Sequence, residues 1–396
     1  MKRSVAIVGT LDSKGEEHLF LKEAIESKGY STITIDVGTT GMSPFQPDHS
    51  VSKLIDSGGI DRSRIIEAII EKAKELVLDL YHEGRIGGMI SAGGGTGTFI
   101  GTSVMRILPL GFPKLMVSTV ASRDMSQVIG TKDITIMHSV VDMVGLNSIS
   151  RLILTKAAGA VCGMMSSTDN GEKGLPRIAL SVFGFVTQAA ENIKSVLDEN
   201  HFEVIPFHAN GTGGMAMEEM TGESFFEGVL DLATHELADA MFGGYCGGIG
   251  PERLITKKGV DTPRLVIPGG LDAAVLEFHR NNIPEQYKER KIFFYDFRSA
   301  IRLTADESRA LARIVASKLN QSHNSNKVLI PLKGWSEADK EGDVLFDPES
   351  SKAFCDALEK SLKPEVKVLK VDYHINEMAF AKVAADFMIG MIKDQG

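Results

Sequence analysis

Short apolar runs alternate with amphipathic stretches along the whole chain. Residues 4–8, 32–37, 89–90, 114–117 and 134–137 are brief and rich in Val, Ile, Leu or Met, as strands buried on both faces are. Between them, 16–28 reads as a helix with Leu19, Leu21, Ala24 and Ile25 apolar, closed by Gly29 in the manner of a left-handed cap. Residues 63–83, with Ile65, Ile66, Ile69, Ile70 and Ala73 on one side, and residues 99–108 and 147–162 read the same way. Residues 43–60 carry Pro44, Pro47, Gly58 and Gly59 and read as an irregular excursion. After Gly171, Gly174 and Pro176 a second series begins. It has strands at 178–182, 203–207, 265–267, 291–295, 327–330 and 366–371, and helices at 187–200, 305–319, 350–362 and 377–392. Thr304-Ala-Asp-Glu307 is a capping box for the helix that follows it.

Strand and helix in alternation predict an α/β protein with mainly parallel sheets. The punctuation near residue 175 predicts two domains, 1–175 and 176–396, with a ligand cleft between them and a last helix able to pack back on the first. In each half the second strand runs into Gly-Thr-x-Gly-Met, at 38–42 and 211–215, which suggests two related units.

Ligands of parallel sheets sit at the carboxyl ends of the strands, so strand-end residues are the site candidates. In the first half these are Gly9, Thr10, Asp12, Asp36, Gly38, Thr39, Gly93, Gly94, Gly95, Thr96, Gly97, Ser118 and Thr119. The stretch Ser91-Ala-Gly-Gly-Gly-Thr-Gly-Thr98 stands out. It lies between a strand and a helix, where bare backbone lets N–H groups approach an anion, above all a phosphate. Glycines of this kind also serve tight turns alone, but a run of them costs chain entropy with no packing return. In the second half His208, Asp272 and His374 are candidates for acid–base or ligating roles. Asp272 could equally cap a helix, and either histidine could simply hold its loop. His235-Glu236 sits at a helix start, where Glu236 suits the helix dipole, and Glu252-Arg253 is either an anion clamp or a surface ion pair.

Composition narrows the field. A net charge of −9 argues against nucleic acid as a partner, while leaving room for phosphates held by amides. Three isolated cysteines, Cys162, Cys246 and Cys355, argue against a disulfide framework and a cysteine-based zinc site. No apolar run reaches a membrane span and the start lacks a signal-peptide pattern, so a cytoplasmic protein without membrane partners is expected. The Gly-x-x-x-x-Gly-Lys-Ser/Thr pattern is absent. Gly95-x-Gly97-x-x-x-Gly101 resembles a dinucleotide fingerprint but lacks the ribose-binding acid that should follow, since 115–120 is neutral.

Several stretches together carry a family resemblance: Gly9-Thr-Leu-Asp-Ser-Lys-Gly-Glu-Glu17, the glycine run at 91–98, Phe207-His-Ala-Asn-Gly-Thr-Gly-Gly-Met-Ala-Met-Glu218 and Pro331-Leu-Lys-Gly-Trp-Ser336. Gly228-Val-Leu-Asp-Leu-Ala-Thr-His-Glu-Leu-Ala238, Pro268-Gly-Gly-Leu-Asp272 and His374-Ile-Asn376 belong to the same set. The chain resembles, over essentially its full length, an uncharacterised family that shares its fold with the ATP-binding N-terminal domain of the plant tobamovirus resistance protein. That resemblance implies two Rossmann-like domains, ATP bound by the first, and a homodimer or higher homo-oligomer. One segment departs. Where the family pattern has His-Asn-Pro followed by Thr-Leu-Met-Arg-Thr, this chain has Tyr295-Asp-Phe-Arg-Ser-Ala-Ile-Arg-Leu-Thr304, which keeps only Arg302 and Thr304 and implies a different substrate. Ser13 replaces a threonine and keeps its hydroxyl.

The functional expectation is an ATP-binding protein with Mg²⁺, a slow ATPase or an ATP-dependent enzyme acting on a small acid or sugar-like metabolite. The alternatives are a nucleotide-sensing protein without fast turnover, or a lyase, isomerase or hydrolase of a phosphorylated metabolite that uses no nucleotide.

Overall fold

The computed structural model describes residues 3–39, 43–51, 61–167, 174–322 and 325–395. The chain divides into two compact units, residues 1–170 and 171–396.

The first unit runs β1 (Ser4–Gly9), α1 (Leu11–Glu26), β2 (Thr32–Asp36), β3 (His49–Ser50), α2 (Arg62–His82), β4 (Ile86–Gly93), α3 (Gly95–Met105), β5 (Lys114–Ser118), α4 (Ser126–Ile129), β6 (Thr135–His138) and α5 (Ser148–Ser166). The six strands form one parallel sheet in the order β3-β2-β1-β4-β5-β6. Its two faces follow from strand periodicity. Ala6, Val8, Ile33, Ile35 and Met116 pack with Ile69, Ile70, Ile100 and Val104 of α2 and α3. Val5, Ile7, Ile90, Leu115 and Val117 pack with Leu21, Ile25, Leu154 and Val161 of α1 and α5. Two expected boundaries moved. α1 begins at Leu11, with a non-helical residue at Lys14, so the turn after β1 is much shorter than expected. α3 begins inside the glycine run rather than after it. α1 ends at Glu26 with Ser27 as its cap in right-handed conformation, so Gly29, with φ of +83°, turns the chain two residues beyond the cap and is not itself the cap.

The second unit runs β7 (Arg177–Val182), α6 (Thr187–Glu199), β8 (Glu203–His208), α7 (Thr212–Gly222), β9 (Gly228–Ala233), α8 (Glu236–Phe242), β10 (Arg264–Gly269), β11 (Ala273–Leu276), β12 (Ile292–Phe294), β13 (Ser299–Arg302), α9 (Ala305–Gln321), β14 (Asn326–Pro331), α10 (Pro348–Ser361), β15 (Lys367–Val371) and α11 (Met378–Lys393). Its parallel sheet is ordered β15-β14-β10-β9-β7-β8. The two units thus share their element order only at the start, because the crossover that reverses direction falls after the third strand in one and after the second in the other. The echo at 38–42 cannot be compared further, since residues 40–42 lie outside the described set. The strand expected at 291–295 is not in the parallel sheet. It pairs antiparallel with β13, which pairs with β11, as a separate three-stranded sheet. The last helix, which the sequence allowed to pack back on the first domain, buries Phe380, Ala384 and Met388 in the core of its own unit. The capping box at Thr304 and Glu307 is formed.

β9 has no counterpart among the strands expected from the sequence, and Asp231 interrupts its apolar run. It is a central strand all the same, and Asp231 is fully buried. The carboxylate accepts two hydrogen bonds from the Arg253 guanidinium, at 2.6 and 2.7 Å, one from Arg264 at 3.0 Å and one from the Ser181 hydroxyl at 2.7 Å. Arg253 also reaches Glu236 at 2.7 Å and Glu218 at 3.0 Å, so it is neither an anion clamp nor a surface pair. It is the centre of a buried ionic lattice that ties α7, β9, α8 and β10 together.

Candidate functional site

The first-unit candidates gather at the carboxyl ends of β1, β2, β4 and β5, on either side of the point where strand order reverses between β1 and β4. They divide into residues that build the turns and residues that leave them open. Gly9 is a builder, since a Cβ there would overlap the ring of His18. Asp36 is buried, and its carboxylate accepts from the Leu11 N–H at 3.1 Å and the Gly38 N–H at 2.9 Å. Asp12 accepts from the Thr39 N–H at 2.9 Å, and its carboxylate occupies the space a side chain at Gly38 would need. Ser118 is fully buried and exchanges a 2.8 Å hydrogen bond with Thr98. Gly93 is tightly enclosed, because a Cβ would lie 2.9 Å from Gly97 Cα.

The open group is Thr10, Gly94, Gly95, Thr96, Gly97 and Thr119, none of them buried. Gly94 is the N-cap of α3 with no side-chain cap, and the first turn has no acidic residue. The leading N–H groups of a helix have no partner within the helix. Here they meet partial exposure and the positive end of the α3 dipole.

The second unit has a glycine turn of its own, at the end of the edge strand β8, where Gly211 leads into Gly213 and Gly214 in the first turn of α7, and treats it differently. The Glu236 carboxylate accepts from the Gly211 N–H at 2.6 Å and sits where a side chain at Gly214 would go. An internal carboxylate therefore fills that turn.

The three second-unit candidates do not form one centre. Asp272 and His374 meet at Ser336. The Ser336 hydroxyl donates to Asp272 at 2.7 Å, and His374 Nε2 donates to the Ser336 carbonyl at 3.1 Å while its Nδ1 accepts from the Asn376 N–H at 3.2 Å. Both ring nitrogens of His374 are thus engaged, and burial lowers its pKa. The other Asp272 oxygen is buried without a partner among the described residues. Burial raises the Asp272 pKa, and burial together with the Asp272 charge pushes Asp339 up to about 7. Asp339 and His374 also line a cavity of about 480 Å³ with Lys333, Trp335, Lys340 and Cys355. His208 is exposed at the end of β8, near the ring of Phe183.

A raised carboxyl pKa favours the folded state most where the group is protonated. The contribution of Asp339 is thus complete below about pH 4 and is lost as pH rises through about 7. Asp339→Asn is expected to flatten that loss. Unfolding free energies from urea titrations should fall less between about pH 4 and pH 8 in the variant than in the parent, by up to a few kcal/mol at about 1.4 kcal/mol per pKa unit. Parallel profiles would refute the assignment.

Sequence reasoning missed a third group, at the carboxyl end of β9. His235 is 1% exposed and stacks on Phe183, with centroids 3.5 Å apart. Neither of its ring nitrogens has a partner among the described residues. Asp239, one helical turn on, and Cys246 bring their side-chain ligand atoms within 4.8 Å of it and of each other. The Asp239 carboxylate is oriented by the Val275 N–H at 2.7 Å and the Cys246 N–H at 2.9 Å. Burial pushes Asp239 up to about 7 and the Cys246 thiol up to about 12. Tyr295, just after β12, has a buried hydroxyl with no partner among the described residues, in the same electrostatic neighbourhood. The pair His-x-x-x-Asp was readable as one helix face, but nothing in the spacing tied Cys246 or Tyr295 to it. Arg302 and Thr304 have structural work: Arg302 donates to the Asp272 and Asp347 carbonyls, and Thr304 caps α9.

These features define an α/β protein of two Rossmann-like units, with an uncapped glycine turn at the reversal point of the first. The chain belongs to the uncharacterised protein family UPF0261. The family's N-terminal domain matches residues 3–170 and its C-terminal domain residues 175–392. A UPF0261 protein of Clostridium tetani is 36% identical over 99% of this chain and 100% of its own length. The ToMV resistance protein Tm-1(GCR237) of Solanum lycopersicum is 32% identical over 96% of this chain and 55% of its own length. Among solved structures, a UDP-N-acetylglucosamine 2-epimerase from Rickettsia bellii is similar at 10% identity, covering 100% of this chain and 96% of that one with a TM-score of 0.25. Among the described residues no helix is long and apolar enough to cross a membrane.

Proposed function

We propose that the protein binds ATP through the first turn of α3, and that it is a slow ATPase or ATP-dependent enzyme acting on a small acid or sugar-like metabolite. The observation that carries this is the contrast between the two glycine turns. The one before α7 is filled by Glu236, whereas the one before α3 has no acid and no cap. Uncapped N–H groups at a positive helix end favour a phosphate group. Thr10, Thr96 and Thr119 add hydroxyls around them. Mg²⁺ would arrive with the nucleotide and offset the charge of its phosphates. Oδ1 of Asp36 is taken up by two backbone N–H groups and Oδ2 accepts from the Ser50 hydroxyl at 3.4 Å, so the phosphates and hydroxyls would supply most of the ion's ligands. The three cysteines are buried and unpaired, which supports a reducing, cytoplasmic setting. A homodimer or higher homo-oligomer completes the reading, and light scattering would measure it.

The test is a thermal-shift series with ATP, ADP and inorganic phosphate, with and without Mg²⁺, followed by phosphate release. ATP at about 100 times its dissociation constant should stabilise the unit that binds it by about 2.7 kcal/mol, or about 5–10 °C. Slow phosphate release would mark the enzyme, and a shift without release the nucleotide sensor. A shift with sugar phosphates alone, or with no phosphate compound, would overturn ATP binding.

A further inference from the structure

We propose that His235, Asp239 and Cys246 form a mononuclear site for a divalent transition metal of the zinc type, with one coordination position open. The argument starts from His235. A buried imidazole with neither nitrogen bonded loses its hydrogen bonds to water and gains none, a cost of about 1–3 kcal/mol for each unsatisfied group. The chain nevertheless holds the ring firmly. Phe183 covers one face, and Gly270 leaves no more than the room required, since a Cβ there would lie 2.8 Å from His235 Cβ. A metal ion is a partner that such a nitrogen can take without a further protein donor or acceptor.

The other two ligands are placed to join it. Asp239 lies one turn along α8, on the same face as His235. Each of its oxygens accepts one backbone hydrogen bond and keeps a second lone pair. Those two N–H groups orient the carboxylate as outer-shell partners orient metal ligands. Bonds of about 2.0–2.3 Å to a shared ion require ligand atoms roughly 3.5 Å apart, so a closure of about 1 Å from the 4.8 Å envelope suffices. On binding, the Cys246 thiol releases its proton to solvent as the sulfur–metal bond forms. A dication with one carboxylate and one thiolate is a neutral unit, which a buried site tolerates far better than a net charge. Nitrogen and sulfur donors select zinc-like ions over Mg²⁺ or Ca²⁺.

Three protein ligands leave the fourth tetrahedral position for water or a substrate oxygen, the arrangement of catalytic rather than structural zinc. The unpartnered Tyr295 hydroxyl supplies a hydrogen-bonding group for whatever occupies it. The site would thus polarise an oxygen at the end of β9, beside the reversal point between β7 and β9 where α/β sheets hold ligands.

The test uses the full chain freed of metal by chelation and titrated with Co²⁺ in the absence of nucleotide, so it is independent of the ATP reading. One Co²⁺ per chain is expected, with a thiolate-to-cobalt charge-transfer band and the visible bands of tetrahedral Co²⁺, all bleached by Zn²⁺. Cys246→Ser should lose the charge-transfer band, and His235→Gln should weaken binding at least tenfold, while Cys355→Ser keeps both signals. Circular dichroism checks that each variant is folded. Should either site variant fail to fold, the wild-type stoichiometry and band, with Cys355→Ser and Cys162→Ser unchanged, decide the matter. No stoichiometric Co²⁺ binding, a band that survives Cys246→Ser, or a band that vanishes with Cys355→Ser would overturn the site.

Discussion

Gly94→Val is expected to abolish stabilisation by ATP while leaving the fold in place. Gly94 has φ of −76° and ψ of −161°, an extended conformation that a β-branched residue adopts readily. A Cβ there meets nothing closer than the Thr119 hydroxyl at 3.7 Å. The unliganded variant should therefore melt within about 1 kcal/mol of the parent, helped by the smaller entropy of its unfolded chain. The two added methyl groups would, however, stand over the N–H groups of Gly95, Thr96 and Gly97, and the ATP-dependent shift should fall to zero. Gly93→Val provides the contrast. Its Cβ would press on the backbone of Gly97 at 2.9 Å, so this variant should lose folding and binding together. An undiminished ATP shift in Gly94→Val would remove the α3 turn from the site.

Arg253→Ala is expected to have the largest effect on stability. Arg253 is fully buried and faces Asp231, Glu236 and Glu218, while Arg264 is the only other cation within the ionic lattice described above. Removal leaves Asp231 and Glu218 sharing the Arg264 guanidinium, and leaves Glu236 with the Gly211 N–H in place of a cation. Deleting one partner of a buried ion pair costs about 3–5 kcal/mol, because the uncompensated charge has no water to return to. The transition of the second unit should fall by about 10 °C, and its urea midpoint with it. Lys352→Ala, which breaks an exposed pair with Asp356, is the control and should cost under about 1 kcal/mol. Equal effects from the two variants would mean that the lattice adds nothing to stability.

The same residues separate what was legible in the sequence from what was not. Hydrophobic periodicity alone set the α/β class, because a strand buried on both faces and a helix buried on one leave different local patterns, and most elements fell within a few residues of their expected ends. The glycine run after β4 was readable for a similar reason: bare backbone is a property of the residues themselves. Local pattern also showed the Thr304 cap and the left-handed turn at Gly29.

Tertiary structure decided the rest. β9 was hidden because an aspartate in an apolar run reads as a break until Arg253 and Arg264, 22 and 33 positions on, are seen to neutralise it. Strand order was hidden because a crossover can place its next strand on either side of the sheet with the same local sequence. Which glycine turn stays open depended on Glu236 reaching Gly211 from 25 positions away. His235, Asp239 and Cys246 became a cluster only when the chain after α8 folded back against β11 and brought the thiol beside the carboxylate. The sequence by itself determined the elements and the places where backbone was left bare. Which buried charges meet, and which polar atoms are left without a partner, depended on contacts between residues far apart in the chain, and those exist only in the folded molecule.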